Sequence, residues 1–176
     1  MQVQNSIVLG GGCFWCLEAY FQLFRGVLSV TPGYAGGTTD NPTYESVCNG
    51  VGNHAEVVKI TYDPNIITLA KLLEIFWAIH DPTTLNRQGH DVGPQYRSAI
   101  FYSQDDDLGQ ITAAKDLAQS HWDSPVVTEI SKLSHFYEAE AYHINYFLNN
   151  PEKAYCQVVI NPKLTSIRKK FDSLMS

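Results

Sequence analysis

A run of three glycines followed at once by a cysteine is the feature that most constrains this chain. Residues 6–9 form a short apolar stretch that is typical of a strand, and the glycines at positions 10–12 end it. From Cys13 onward, apolar residues recur at helical spacing until Gly26. The sequence therefore predicts a strand, a glycine turn and a helix, with Cys13 at the start of that helix.

Four roles are open to Cys13: a nucleophile, one half of a Cys-x-x-Cys disulfide with Cys16, a metal ligand, or a small buried side chain. Backbone N–H groups at a helix start favour the thiolate, so we expect the Cys13 pKa to lie below the free value of about 8.5. The bulky Phe14 and Trp15 between the two cysteines argue against a thioredoxin-like disulfide, and no second Cys-x-x-Cys or paired-histidine motif supports zinc. These observations favour the nucleophile.

The rest of the chain mixes strands and helices. Strands are predicted over residues 6–9, 55–62, 98–102, 126–130 and 157–160. Helices are predicted after Cys13 and over residues 68–80, 105–120 and 138–147. The predicted fold class is α+β, with a mixed sheet packed against helices in a single domain of residues 1–176.

The composition of the chain indicates which kinds of partner and which cellular location to expect. The chain is 44% hydrophobic and 17% charged, which is typical of a globular protein, and its formal net charge of −6 argues against nucleic acid as the main partner. No apolar run approaches the roughly 20 residues that cross a bilayer, and we see no signal peptide. Four cysteines are too few for a disulfide-stapled fold of this size, so we expect a cytoplasmic protein with reduced thiols.

Two loops and one strand supply further candidate residues. Glu56 opens an apolar strand, where burial would raise its pKa, although an exposed glutamate on an edge strand is the commoner case. Tyr44 and Tyr96 lie in the loops around residues 33–54 and 87–98, where their hydroxyls could face a cleft. Cys156 lies near prolines in a segment with little predicted structure, which suits a thiol that must travel to another sulfur.

Several segments together resemble the A-type peptide methionine sulfoxide reductases over nearly the whole chain. The resemblance is specific because these motifs occur in order and at compatible spacing. They are Gly12-Cys13-Phe14-Trp15 with Glu18, Gly33-Tyr34-Ala35-Gly36-Gly37, Asn41-Pro42-Thr43-Tyr44, His54-Ala55-Glu56, His80-Asp81-Pro82, Gln88-Gly89 with Asp91, Gly93 and Gln95-Tyr96-Arg97-Ser98, and Ala139-Glu140 with Tyr142-His143.

The resemblance implies an activity: thiol-dependent reduction of the S epimer of methionine sulfoxide, free or in proteins, to methionine. It implies a two-layer α+β sandwich with a ferredoxin-like core and a long irregular C-terminal segment. The partners implied are oxidised methionine and thioredoxin or an equivalent dithiol. No cofactor, metal, nucleic acid or membrane is implied.

The resemblance also implies a role for each matching residue. Those roles are Cys13 as the nucleophile, Phe14 and Trp15 as walls around the substrate methyl group, Glu56 as the acid that protonates the sulfoxide oxygen, Tyr44 and Tyr96 as hydroxyl donors to that oxygen, and Asp91 as a polar organiser of the site. For the thiol that resolves the Cys13 sulfenic acid we choose Cys156 over Cys16, because a Cys13–Cys16 disulfide would distort the helix start that carries Phe14 and Trp15. Whether Cys16 or Cys48 takes part in a relay is left open.

Overall fold

The computed structural model describes residues 3–176. Its strands are β1 (Asn5–Gly10), β2 (Val27–Ala35), β3 (Ala55–Tyr62), β4 (Arg87–Gln88), β5 (Asp91–Val92), β6 (Ala99–Tyr102), β7 (Glu129–Lys132) and β8 (Phe136–Glu138). Its α-helices are α1 (Phe14–Phe21), α2 (Tyr44–Cys48), α3 (Leu69–Ile79), α4 (Asp107–Gln119), α5 (Tyr146–Asn149) and α6 (Asn161–Phe171). These elements confirm the α+β class.

Six strands form one mixed sheet in the order β7-β6-β1-β3-β2-β8. Neighbouring strands run antiparallel except β6 and β7, which are parallel. The central strands β1 and β3 are almost fully buried, because helix α1 packs against one side of the sheet and a single hydrophobic cluster joins α1, α3 and α6 to these strands. Strands β4 and β5 form a separate hairpin.

Local chemistry explains where α3 begins and ends. The Thr68 side chain accepts a hydrogen bond from the Lys71 backbone N–H and caps α3. Asp81 and Pro82 follow the helix and prevent its continuation. Within residues 3–176, no helix has both the length and the apolar character needed to cross a membrane.

The predicted elements agree best with the structure where a periodic pattern of apolar residues continues without interruption. The helices predicted at 68–80 and 105–120 and the strands predicted at 6–9, 55–62 and 98–102 occur within about two residues of the expected bounds. The strand predicted at 126–130 starts three residues late, at Glu129. The loop predicted at 33–54 contains the end of β2 and the helix α2, which Thr43 and Ser46 cap reciprocally.

Two predictions in the C-terminal third are wrong. Residues 138–147 do not form one helix: β8 ends at Glu138, a short 3₁₀ turn follows, and Asn145 has a left-handed backbone with φ 56°. Residues 157–160 are not a strand, since Cys156–Ile160 is a π-helical turn that leads directly into α6. The C-terminal segment is therefore irregular only up to about residue 155 and helical beyond it.

Gly33 explains why β8 can pair with β2 so closely. A Cβ atom at this position would lie 2.4 Å from both the Phe136 ring and the Tyr137 carbonyl oxygen. The absence of a side chain lets Gly33 pair with Glu138. This pairing brings the chain after β8 to the start of α1.

Candidate active site

Cys13 lies at the N-terminal cap position of α1, directly after Gly12. Gly12 has φ 93°, a conformation that favours glycine, and its N–H donates to the Tyr96 carbonyl oxygen at 3.2 Å. Cys13 is only 8% exposed. Burial, together with the hydrogen bond to Cys16, raises the pKa of the Cys13 thiol well above its usual range. The expectation of a lowered pKa is therefore wrong for the resting site, because desolvation outweighs the helix terminus.

Cys16 lies one turn further along α1 and is linked to Cys13. Hydrogen bonds with the Cys13 thiol and with the Tyr155 and Tyr20 hydroxyls lower the pKa of the Cys16 thiol, against the opposing effect of burial. The Cys16 Sγ and Tyr155 Oη atoms are 3.5 Å apart, and Tyr155 Oη donates to Asp91 Oδ2 at 2.8 Å. A continuous polar chain thus runs from Cys13 to Asp91 on the hairpin of β4 and β5.

Glu56 lies on β3, which is an interior strand and not the edge strand that would leave this side chain exposed. The residue is 1% exposed, and its Oε1 atom accepts a hydrogen bond from the Phe14 N–H at 3.2 Å. Its Oε2 atom is buried without a partner. Burial raises the pKa of this carboxyl to about 8, with smaller contributions from Asp91 and Cys16. Glu56 therefore carries a proton at neutral pH, next to the start of α1.

Aromatic rings surround this buried carboxyl. Phe14 is fully buried, and its ring stacks on that of Tyr44 with centroids 6.3 Å apart. The Trp15 ring lies 6.4 Å from Tyr44 and stacks at 3.8 Å on Tyr146 of α5. Burial raises the pKa of Tyr44 and of Tyr96, and Glu56 raises it further once it ionises at higher pH, so both phenols stay protonated and remain hydrogen-bond donors.

Glu140 accepts hydrogen bonds from two segments of the site, although the sequence alone indicated no role for it. Its Oε1 atom accepts a hydrogen bond from Tyr34 Oη at 2.8 Å, and its Oε2 atom accepts one from the Tyr44 N–H at 2.9 Å. Glu140 thereby joins β2, the start of α2 and the chain after β8. The motif Ala139-Glu140 with Tyr142-His143 marks this segment in the sequence. It does not reveal the partners of Glu140, because Tyr34 and Tyr44 lie about 100 positions earlier in the chain.

His143 occurs in a family motif, but the sequence alone assigned it no role. Both ring nitrogens of His54 and of His80 have hydrogen-bond partners. His143 differs, because it is fully buried and its ring lies 4.9 Å from Phe14 and 4.5 Å from Tyr44. It therefore lies inside the aromatic site.

The other two cysteines have contrasting surroundings. Cys48 is exposed at the end of α2, and Cys156 is fully buried in the π-helical turn, where a loose segment was expected. A cavity of about 250 Å³ opens beside the thiols; its lining includes Cys13, Cys16, Gln88, Asp91, Tyr155 and Lys163. Within residues 3–176, no three His, Cys, Asp or Glu side chains are grouped so as to hold a metal ion.

Comparison with known proteins gives a consistent result. The family described as peptide methionine sulfoxide reductase matches residues 5–175. The peptide methionine sulfoxide reductase MsrA of Paenarthrobacter aurescens is 50% identical over 172 residues, which are 98% of this chain and 99% of the relative.

Solved structures agree. The reduced form of Mxr1 from Saccharomyces cerevisiae matches with a TM-score of 0.83 at 38% identity, covering 87% of this chain and 89% of that one. Mxr1 in complex with Trx2 matches with a TM-score of 0.59 at 28% identity, covering 81% of this chain and 84% of that one.

Proposed function

The chain belongs to the peptide methionine sulfoxide reductase family, and on that premise we propose that it reduces methionine S-sulfoxide, free or in proteins, with Cys13 as the nucleophile. The observation that carries this assignment is the Glu56 carboxyl. It is buried and protonated at neutral pH, and one of its oxygens has no partner. A sulfoxide oxygen is a poor leaving group until it is protonated, so a neutral acid beside a thiol suits this reaction.

In the first step, the Cys13 sulfur attacks the sulfoxide sulfur while Glu56 protonates the sulfoxide oxygen. The oxygen ends on Cys13 as a sulfenic acid, and methionine leaves as the thioether. The substrate sulfur gains two electrons and the Cys13 sulfur loses two, so the step balances without a cofactor. The proton released as the Cys13 thiol reacts restores the Glu56 acid.

The surrounding residues hold the substrate for this step. Tyr44 and Tyr96 keep their hydroxyl protons, which makes them suitable donors to the sulfoxide oxygen as negative charge develops on it. Phe14 and Trp15 supply an apolar wall for the terminal methyl group. Asp91 organises the polar side of the site through its hydrogen bond with Tyr155.

The enzyme is then reset by thiols. Cys156 condenses with the sulfenic acid to form a disulfide and water, and an external dithiol reduces that disulfide. The yeast relative Mxr1 forms a complex with Trx2, which supports thioredoxin as the reductant. Since Cys156 is buried in a helical turn, this step requires the turn to open.

The decisive experiment measures loss of separated methionine sulfoxide epimers with dithiothreitol as the sole reductant. We expect consumption of the S epimer alone, with no metal added. A Cys-x-x-Cys disulfide oxidoreductase would instead reduce insulin and leave both epimers unchanged. A thiol- or metal-binding module would carry stoichiometric zinc as purified and show neither activity.

Three structural and cellular expectations belong to the same proposal. The sheet order β6-β1-β3-β2, with α1 and α3 as the connecting helices, supports a ferredoxin-like core. One hydrophobic cluster that reaches from Ile7 to Phe171 supports a single domain of residues 1–176. The small number of cysteines supports a cytoplasmic location.

A further inference from the structure

His143 is buried at the point where the aromatic side chains of the site meet. Its ring lies 4.9 Å from Phe14, 4.5 Å from Tyr44 and 4.0 Å from Tyr142. Its Nδ1 atom is 2.9 Å from the Trp15 indole Nε1. His143 therefore contacts both proposed walls of the methyl pocket and one proposed hydroxyl donor.

The hydrogen bond with Trp15 fixes the tautomer of His143. An indole N–H can only donate, so Nδ1 must accept and carry no proton. A neutral imidazole then carries its single proton on Nε2. Burial keeps the ring neutral by lowering its pKa, and the nearby charge of Glu140 only partly opposes this effect.

The resulting Nε2–H donor is unusual because the protein leaves it without an acceptor. Within the described residues, Nε2 of His143 is one of few buried side-chain polar atoms that have no hydrogen-bond partner. Leaving such a donor unpaired in the protein interior is unfavourable, because its hydrogen bond to water is lost and not replaced. An acceptor oxygen brought by the substrate would remove that cost.

We propose that His143 is a further substrate-site residue with two functions. Its Nδ1 atom positions the Trp15 indole, and its Nε2–H donates a hydrogen bond to an oxygen of the bound substrate. This inference rests on the proposed sulfoxide reduction and adds a residue to it. The acceptor is either the sulfoxide oxygen or the backbone carbonyl oxygen of the oxidised methionine.

Two substitutions separate the two functions of His143. Asparagine in His143→Asn places its amide oxygen near the Nδ1 position, so it keeps an acceptor for Trp15 but loses the donor at Nε2. Glutamine in His143→Gln reaches the Nε2 position with its NH₂ group but has no polar atom at Nδ1. His121→Asn, at an exposed histidine outside the site, is the matched control.

The position of Trp15 is read from its indole N–H resonance in ¹⁵N-labelled protein, assigned with Trp15→Phe. We expect His143→Asn to retain a shifted, hydrogen-bonded resonance and His143→Gln to lose it. A resonance that is unchanged in His143→Gln would overturn the positioning function. This readout does not depend on activity, so it remains informative even if the protein reduces no sulfoxide.

The donor function is read from steady-state kinetics on methionine S-sulfoxide. We expect His143→Asn to raise KM by about 3- to 10-fold, the range for one lost hydrogen bond, with a smaller change in kcat. Dimethyl sulfoxide has no backbone carbonyl, so a similar KM increase on it identifies the sulfoxide oxygen as the acceptor. An increase confined to N-acetylated methionine sulfoxide amide identifies the carbonyl.

An unchanged KM for His143→Asn on every substrate would overturn the donor function. If wild-type protein and His121→Asn also fail to consume the S epimer, the proposed reduction itself is wrong. These two failures are therefore distinguishable.

Discussion

At the residue scale, Glu56 and Cys13 are two ionisable groups that the fold keeps out of water at the same end of α1. Burial raises the pKa of both, so the resting site holds a neutral thiol beside a neutral acid. A neutral pair avoids the repulsion of a thiolate and a carboxylate in a medium of low dielectric. The thiolate is then needed only at the moment when the sulfoxide oxygen accepts its proton.

Glu56→Gln tests the acid. The first-turnover rate of sulfenic acid formation should fall by about 10²- to 10⁴-fold, because an amide cannot deliver the proton. In wild-type protein the same rate should fall as the pH rises through about 8, where the carboxyl loses its proton. Rapid-quench assays at a series of pH values measure both effects.

The control for this variant is alkylation of Cys13, which should remain intact. A first-turnover rate in Glu56→Gln equal to that of wild type would transfer the acid role to Tyr44 or Tyr96.

Cys13→Ser tests the nucleophile. We expect no reduction of sulfoxide in single-turnover or steady-state assays, since a serine hydroxyl cannot be oxidised to a sulfenic acid. In wild-type protein, iodoacetamide should alkylate Cys13 slowly at neutral pH and faster only in alkaline solution, because burial keeps it protonated. Peptide mapping against the exposed Cys48 provides the comparison, and fast labelling of Cys13 at pH 7 would contradict the raised pKa.

At the element scale, the sequence predicted what depends on local period and missed what depends on distant pairing. Helix α3 is evident from its apolar spacing and from its stop at Asp81 and Pro82. The helix predicted at 138–147 is absent because its first residue pairs with Gly33 in the sheet, a contact 105 positions away that no local window contains. Asn145 then interrupts any helix with its left-handed backbone.

The π-helical turn at Cys156–Ile160 governs the second half of the catalytic cycle. Cys156→Ser should complete one turnover, stall as a Cys13 sulfenic acid and lose cycling with thioredoxin, while Cys16→Ser should retain most of it. In wild-type protein, oxidation by substrate should increase backbone hydrogen exchange in residues 150–165, since the buried thiol must leave its turn. Mass spectrometry of the oxidised protein identifies the disulfide that has formed and measures the backbone hydrogen exchange.

A dominant Cys13–Cys16 disulfide with Cys156 still alkylatable would overturn this choice. The structure makes that outcome a real alternative, because Cys16 already shares a hydrogen bond with Cys13.

At the scale of the whole molecule, two buried carboxyls tie stability to pH. Burial raises the pKa of Glu18 to about 7 and that of Glu56 to about 8. An unfolded glutamate has a pKa of about 4.3, so the folded state binds more protons between these values. The free energy of unfolding should therefore be highest below about pH 4 with respect to these groups, and it should decrease as the pH rises from there to about 8.

Glu18→Gln should remove part of that decrease, and Glu56→Gln a further part. Urea unfolding at a series of pH values measures the slope. Thr112→Ser, a change at an exposed position of α4, is the control and should leave the slope as it is in wild type. A wild-type stability that is flat between pH 5 and 8 would contradict the buried protonated state of both carboxyls.

The sequence identified most of the candidate site residues but not the contacts that bring them together. The motifs around Cys13, Tyr44, Glu56 and Tyr96 were visible in the sequence because each combines unusual residue types at short spacing. Glu140 and His143 received no role because their partners are fixed by the pairing of β2 with β8. Only the complete sheet brings both ends of the chain to one place.

Because the site needs both ends of the chain, the order in which the ribosome synthesises them matters. Cys13 leaves the ribosome first, whereas Glu140 and Tyr155, which complete its surroundings, emerge near the end of translation. A nascent chain therefore carries an uncovered thiol for most of its elongation, without the completed site. The complete site forms only after β8 has paired with β2, so a chain that is still being synthesised carries the Cys13 thiol without the residues that surround it in the folded protein.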